Sequence, residues 1–192
     1  MKKCILLIVT ILFVRFLFAQ NTDGITFENR CYVEDIATVQ CFQPKYPYAL
    51  PVMALNSDEK LQLSFDDLSG ESRYLKYTFI HCSHDWKPDA LNQLEYIDGF
   101  MEDEISDYSY SFNTIVSYTH YTLDFPTDMM RITKSGNYIL YVYDDTQDQP
   151  ILTRRFMVAE PQPVGVYGEV KQASDVTYMF VKQEVDFIVN TG

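Results

Sequence analysis

The sequence predicts an all-β protein: an immunoglobulin-like β-sandwich of about seven strands, followed by the first strands of a second β domain. Three observations carry this reading. Apolar residues alternate with polar ones at period two through most of the chain beyond residue 35, which puts each apolar set on one face of a sheet. Turn-forming clusters separate these runs at short intervals, the spacing of an antiparallel sandwich. One tyrosine stands where such sandwiches anchor a corner.

The strands follow in order. Ile36 to Phe42 supplies the first, over 36–42. Leu61, Leu63 and Phe65 alternate with Gln62 and Ser64, predicting a strand over 60–66. Leu75, Tyr77, Phe79 and His81 alternate with Lys76, Thr78 and Ile80, over 73–82. Tyr108, Tyr110 and Phe112 alternate with serines, over 105–112, and Tyr121, Leu123 and Phe125 alternate with Thr122 and Asp124, over 119–125. Tyr138 to Tyr143 is apolar on both faces, which makes 137–143 a central strand of a two-layer fold, and Ile151 to Val158 supplies 150–158. The breaks are turn-like: Asp66-Asp67-Leu68-Ser69-Gly70, Pro126-Thr127-Asp128, Lys134-Ser135-Gly136-Asn137, and an acidic tip from Asp144 to Pro150. Tyr138 opens the sixth strand two residues before Leu140, the placement of a tyrosine corner whose phenol bonds back to nearby backbone.

Domain limits come from composition. Met1-Lys2-Lys3, the apolar run Ile5 to Val14 and the small residue Ala19 have the layout of a cleavable secretory signal, residues 1–19. The run is short of the roughly 20 apolar residues that a membrane span needs. Residues 20–35 form a lead-in and 36–160 the sandwich. Pro161-Gln162-Pro163 reads as a short stiff linker. Residues 161–192 read as the start of a second β domain, cut short, since some thirty residues are too few to bury a core of their own.

Charge excludes several function classes. Without residues 1–19 the chain keeps 12 basic against 27 acidic residues, a net charge of −15. Phosphate binding needs clustered lysine and arginine, so nucleic acid is a poor partner. No basic amphipathic helix is present for an anionic membrane. The three cysteines left are Cys31, Cys41 and Cys82. In an oxidising compartment Cys31 and Cys41 could pair, leaving Cys82 over; the alternative, that Cys41 and Cys82 are buried thiols, fits the odd count better.

The densest chemistry lies in residues 81–100, "HCSHDWKPDALNQLEYIDGF". His81, Cys82, His84 and Asp85 are all side chains that zinc accepts. Adjacent strand residues point to opposite faces, however, so His81 and Cys82 are not expected to share an ion. A Cys82–His120 or Cys82–His84 nucleophile pair would need a lowered thiol pKa, which an acidic surround opposes. Asp144, Asp145 and Asp148 could meet calcium at a hairpin tip, but the fuller oxygen set of a calcium loop is missing. No glycine-rich phosphate loop or nucleophile elbow occurs. The expectation is therefore a protein with no cofactor, no metal and no catalytic residues. The aromatics carry more weight: 15 tyrosines exceed what one core uses, and tyrosine and tryptophan suit binding surfaces.

The phrases "LSFDDLSGE", "YTFIHCSHDWKPDALNQLEYIDGF", "ISDYSYSFNTIVSYTHYTLDFP", "SGNYILYVYDD" and "ILTRRFMV" together resemble the plug protein family of the type IX secretion system of Bacteroidota. Tyr96-Ile97-Asp98-Gly99-Phe100 and Thr153-Arg154-Arg155-Phe156 are the most telling stretches, and "QEVDFIVN" resembles the opening of the family's second domain. The resemblance runs in order over about residues 32–190. It implies a soluble, non-enzymatic periplasmic protein with an immunoglobulin-like first domain. Such a protein docks on the outer-membrane β-barrel translocon and closes its periplasmic mouth when nothing is exported. It implies no nucleic acid, no membrane insertion and no small-molecule substrate. The family usually has an acidic and a small residue where this chain has Ser83 and His84, so His84 is no family-wide ligand. Candidate partner-binding residues are Trp86, Tyr96 and Phe100 in the loop 83–104, with neighbouring Tyr108; the competing reading is that they fold this loop back onto the sandwich. A different class of function, an immunoglobulin-like ligand-binding or adhesion module, would show a face of exposed tryptophans, and the chain has only Trp86.

Overall fold

Period-two burial becomes two facing antiparallel sheets in the computed structural model, which describes residues 24–145, 149–160 and 165–190. In chain order the strands are β1 (Arg30–Cys31), β2 (Ile36–Phe42), β3 (Val52–Ala54), β4 (Leu61–Asp67), β5 (Leu75–Cys82), β6 (Ile97–Gly99), β7 (Asp103–Glu104), β8 (Asp107–Tyr110), β9 (Thr119–Phe125), β10 (Met130–Ile132), β11 (Gly136–Asp144), β12 (Gln149–Ala159), β13 (Gly165–Gln172) and β14 (Gln183–Asn190). Among the described residues no helix is long and apolar enough to cross a membrane. The expected signal segment 1–19, Asp148 and the Pro161–Pro163 linker lie outside the described residues.

One sheet has the order β2-β4-β9-β8, and the other β1-β12-β11-β5-β7 with β3 parallel to the far end of β12. If β2, β4, β5, β8, β9, β11 and β12 are lettered A to G, the sheets read A-B-E-D and C-F-G. That is the constant-type immunoglobulin arrangement. β4 shows why the sequence folds so. Leu61, Leu63 and Phe65 are fully buried, while Gln62, Ser64 and Asp66 between them reach towards solvent.

Aromatic rings join the layers. Phe79 of β5 meets Phe125 of β9 and Phe156 of β12, with ring centroids 5.7 and 5.6 Å away. Phe125 and Phe156 meet edge to face at 5.1 Å, and Tyr121 stacks on Phe65 at 5.1 Å. Each such pair adds about 0.5–1.5 kcal/mol beyond the area it buries. β11 is covered on both sides, as a central strand should be. Its Tyr138, Leu140 and Val142 face the main core. Ile139 lies with Ile80 and Cys82 in a second cluster under Ile25, Phe27 and Trp86.

The tyrosine corner is present. Buried Tyr138 donates its hydroxyl proton to the Lys134 carbonyl at 2.8 Å. Tyr138→Phe keeps the ring and strands that carbonyl, so it should lower stability by about 1 kcal/mol. A urea titration checks this: the midpoint should fall at constant slope, and an unchanged midpoint would remove the bond from the account.

Two departures from the expected strands matter. The run expected at 105–112 is two strands in different sheets. β7 pairs with β5, β8 pairs with β9, and the chain crosses between layers at buried Ile105. The sequence marks the crossing only by a break of phase, two polar residues, Ser106-Asp107, between Ile105 and Tyr108. The expected loop 83–104 is also more ordered than a loop, since β6 pairs with β10. Beyond residue 164, β13 and β14 form an antiparallel hairpin, with Val166, Val185, Phe187 and Ile188 exposed.

Candidate functional site

The stretch from His81 to Glu104 leaves the end of β5, runs back alongside it through Gln93, Tyr96 and Met101, and pairs with it again as β7. His81 turns inward. Its ring meets Tyr138 edge-on at 4.9 Å and Tyr96 at 5.6 Å. Its Nδ1 lies 2.9 Å from Asp89 Oδ2 and its Nε2 3.4 Å from the Ser135 carbonyl. Cys82 points the other way, into the outer cluster, and burial pushes its thiol up to about 12. At neutral pH it is a protonated thiol, a poor nucleophile. His120 is on β9 in the opposite sheet, its Nδ1 2.6 Å from Asp66 Oδ1, so the structure does not pair it with Cys82. His84 is exposed on a tight turn. There Ser83 Oγ donates to Asp85 at 2.6 Å, and Lys87 forms an ion pair with Asp85 at 2.5 Å. Among the described residues no three His, Cys, Asp or Glu side chains converge as metal ligands would. Cys31 and Cys41 stand as free thiols; Cys31 accepts from Arg154 Nη2 at 3.4 Å, and burial pushes Cys41 up to about 12.

The four residues expected to face a partner separate into different roles. Trp86 is half-buried at a left-handed φ of 61°, and the Arg155 guanidinium sits 4.5 Å from its ring centre. The same guanidinium donates from Nε and Nη2 to the Phe27 carbonyl at 2.8 and 2.6 Å. Trp86 and Arg155 thus clamp the lead-in across the outer face of β12. Tyr96 is corrected from a surface contact to a core residue. It is 2% exposed, and its hydroxyl donates to the Phe79 carbonyl at 3.2 Å. A capping box at Asn92 and Glu95 turns the chain so that this ring swings inward. Phe100 is 58% exposed and Tyr108 43%, so these two present real surface.

Pattern reasoning passed over the loop after β8. Phe112 is 93% exposed and Ile115 fully so, with Val116 beside them. Phe112 was placed in a strand, and Ile115-Val116 fits neither strand nor helix spacing.

Arg155→Ala should free the lead-in while leaving the sandwich folded. Limited trypsin digestion reads this as cleavage after Arg30 at least tenfold faster than in the parent, the ratio for about 1.4 kcal/mol of lost local stability. Equal rates would mean that the clamp carries no load.

The family model described as "Type 9 secretion system plug protein 1st domain" matches residues 36–160, the span of β2 to the end of β12. The chain belongs to the type 9 secretion system plug protein family. The family is named for a secretion-system plug and not for a catalytic activity. Among solved structures, a hypothetical protein from Parabacteroides merdae is 30% identical with a TM-score of 0.74. That similarity covers 88% of this chain but 42% of the other, so this plug-family chain spans under half the length of that relative. An alkylpurine DNA glycosylase from Pseudomonas fluorescens, bound to DNA with an abasic site analog, is 9% identical over 65% of this chain and 30% of its own. Its TM-score of 0.35 is too low to carry any inference. No curated protein matches the sequence.

The two stretches that best resemble the plug family have structural work to do. In 96–100, Tyr96 and Ile97 enter the core, Asp98 pairs with Arg131 at 2.5 Å, and Gly99 lets β6 lie against Met129. In 153–156, Thr153 Oγ1 donates to the Glu28 carbonyl at 2.7 Å, Arg154 reaches the Arg30 carbonyl at 3.1 Å, and Arg155 makes the clamp. Phe156 fills the core.

Proposed function

We propose that this protein is a periplasmic plug that docks on an outer-membrane translocon barrel and closes its periplasmic mouth when nothing is being exported. The observation that carries this is the family match over the whole sandwich. The physical character of the chain supports it. A stopper needs a stiff folded body and complementary surface, not a reactive centre. In support, Cys82 is buried, Phe100 and Tyr108 are exposed and so accessible to a partner, and the acidic surface favours steering and selectivity. We further propose that β13 and β14 open a second β domain, whose remaining strands would cover Val185 and Phe187; the greater length of the Parabacteroides merdae relative supports this. The adhesion-module reading gains nothing, since the Trp86 ring packs against the Ile80, Cys82 and Ile139 cluster and the Arg155 guanidinium.

Removing the gene tests the proposal in the native host. Without its plug an export barrel stays open, so the strain should become sensitive to antibiotics too large for ordinary porins. Full-length protein supplied in trans should restore resistance. An unchanged sensitivity would contradict the closing role.

A further inference from the structure

We propose that β8 and the loop after it, residues 107–118, form a docking edge that takes up an extended, basic-and-apolar segment of a partner protein as an added β-strand. Four observations converge on it.

The first is the state of the sheet edges. An unprotected edge strand invites another strand, and folded proteins blunt their edges by shortness, bulges, lysine or proline. Within the sandwich, β1 and β7 are two residues long and β3 three. β2 carries a bulge between Ala37 and Gln40, with Thr38 at a left-handed φ of 52°. β8 has no bulge, lysine or proline, and pairs with β9 on one side only.

The second is which groups point outward. Ser111 N donates to the Tyr118 carbonyl at 2.8 Å, so 111 and 118 are a hydrogen-bonded pair. Antiparallel pairs alternate between bonded and non-bonded. The N–H and C=O groups of Tyr108 and Tyr110 therefore point away from β9, the hydrogen-bonding frontage that an added strand uses.

The third is the apolar tip. Phe112 and Ile115 stand almost wholly in solvent one turn beyond that frontage. Exposed apolar patches of this kind mark interaction sites.

The fourth is charge, which selects the occupant. Between Lys87 and Arg131 the chain has no lysine or arginine, while Glu104 and Asp107 lie exposed beside the edge. A lipid surface is a poor match, because anionic leaflets attract basic and repel acidic segments. A strand alternating lysine or arginine with apolar residues matches both the acids and the tip. Resting on the plug reading, that strand belongs to the periplasmic side of the translocon barrel.

The test places a photo-cross-linking amino acid singly at Phe112 and Ile115, and for comparison at exposed Tyr48 and Leu94, in full-length protein in its native envelope. Adducts to one partner protein from 112 and 115, and not from 48 or 94, are expected. Ile115→Asp alters only the exposed tip and, with the cross-linker at 112, should cut the adducts from 112 at least tenfold, a loss typical of one central interface residue. Tyr110→Pro removes an outward N–H, no bond to β9, and the ring that meets Tyr108 at 5.7 Å; it should cut adducts well below Tyr110→Ala, which loses the same ring and keeps the N–H. If the barrel is captured but cross-links only from 48 or 94, the docking edge is wrong and the plug reading stands. If 112 and 115 label a different protein through a basic segment, the edge stands and the plug reading falls. Lipid adducts from 112 and 115, or none from any position, would overturn the proposal.

Discussion

Gly99→Ala is expected to cost several kcal/mol, among the largest losses available to a single methyl group in this protein. Gly99 has φ of 107°, a region that side chains disfavour by about 1–3 kcal/mol. The added Cβ would stand 2.1 Å from the Met129 carbonyl oxygen and 2.9 Å from its carbon. Both are backbone atoms that no rotamer change can move. β6 would have to leave β10, breaking the pairings of Gly99 with Met130 and Ile97 with Ile132 and the bond from Phe100 N to the Met129 carbonyl at 2.8 Å. Met130 is fully buried, so its departure opens the core as well. The sum is about 3–5 kcal/mol, against the 5–15 kcal/mol that holds a typical domain folded. Gly70→Ala is the control. Its φ of 76° is also positive, but its Cβ would make only ordinary contacts, with the Ser117 Cβ at 3.4 Å and the Ser117 carbonyl oxygen at 3.9 Å. Denaturant titration should show the Gly99 variant far below Gly70→Ala, and equal midpoints would contradict the close approach.

Arg73→Met is expected to cost about 3–5 kcal/mol, because it leaves a buried carboxylate without its cation. Asp67 at the end of β4 is fully buried. Arg73 Nε lies 2.5 Å from its Oδ2, and Arg73 Nη2 lies 3.8 Å from Asp35. Buried Asp144, at the end of β11 in the opposite sheet, adds its charge to the same guanidinium. The arginine thus ties one end of the sandwich together across its layers. Its backbone N–H also donates to the Tyr121 hydroxyl at 2.7 Å, a bond that the substitution keeps. Asp67→Asn keeps the oxygen that accepts from Ser69 N at 3.0 Å and replaces the Oδ2 that accepts from Arg73 Nε with an amide donor, removing both the charge and that bond. The double variant should therefore lose clearly less than the sum of the two singles, the mark of a direct pair. Strict additivity in urea titrations would show that the ion pair is incidental.

β4 and β9 were legible because each buries alternate residues over seven positions, and β11 and β12 because each is a long apolar run. β3, β6, β7 and β10 were not, since two or three residues carry no period. Tyr138 was legible as a corner because its partner lies four residues upstream. Trp86 was not legible as half of a clamp, because Arg155 comes 69 positions later and only the fold brings it near. Tyr96 misled for a related reason. An aromatic in a presumed loop reads as surface, whereas the capping box at Asn92 and Glu95 turns it inward. The split of His81 from Cys82 followed from strand geometry alone and holds in the structure, with His81 against Tyr138 and Cys82 in the outer cluster.

The central claim is that this chain stops an export barrel, and recovery of its native partner tests it most directly. Full-length protein tagged at its C-terminus would be isolated from native envelopes in mild detergent and its companions quantified. The account predicts one large outer-membrane β-barrel in near-equal amount, lost when substrate export is stalled with the barrel occupied. Recovery of the protein alone, or with no outer-membrane barrel, would contradict it.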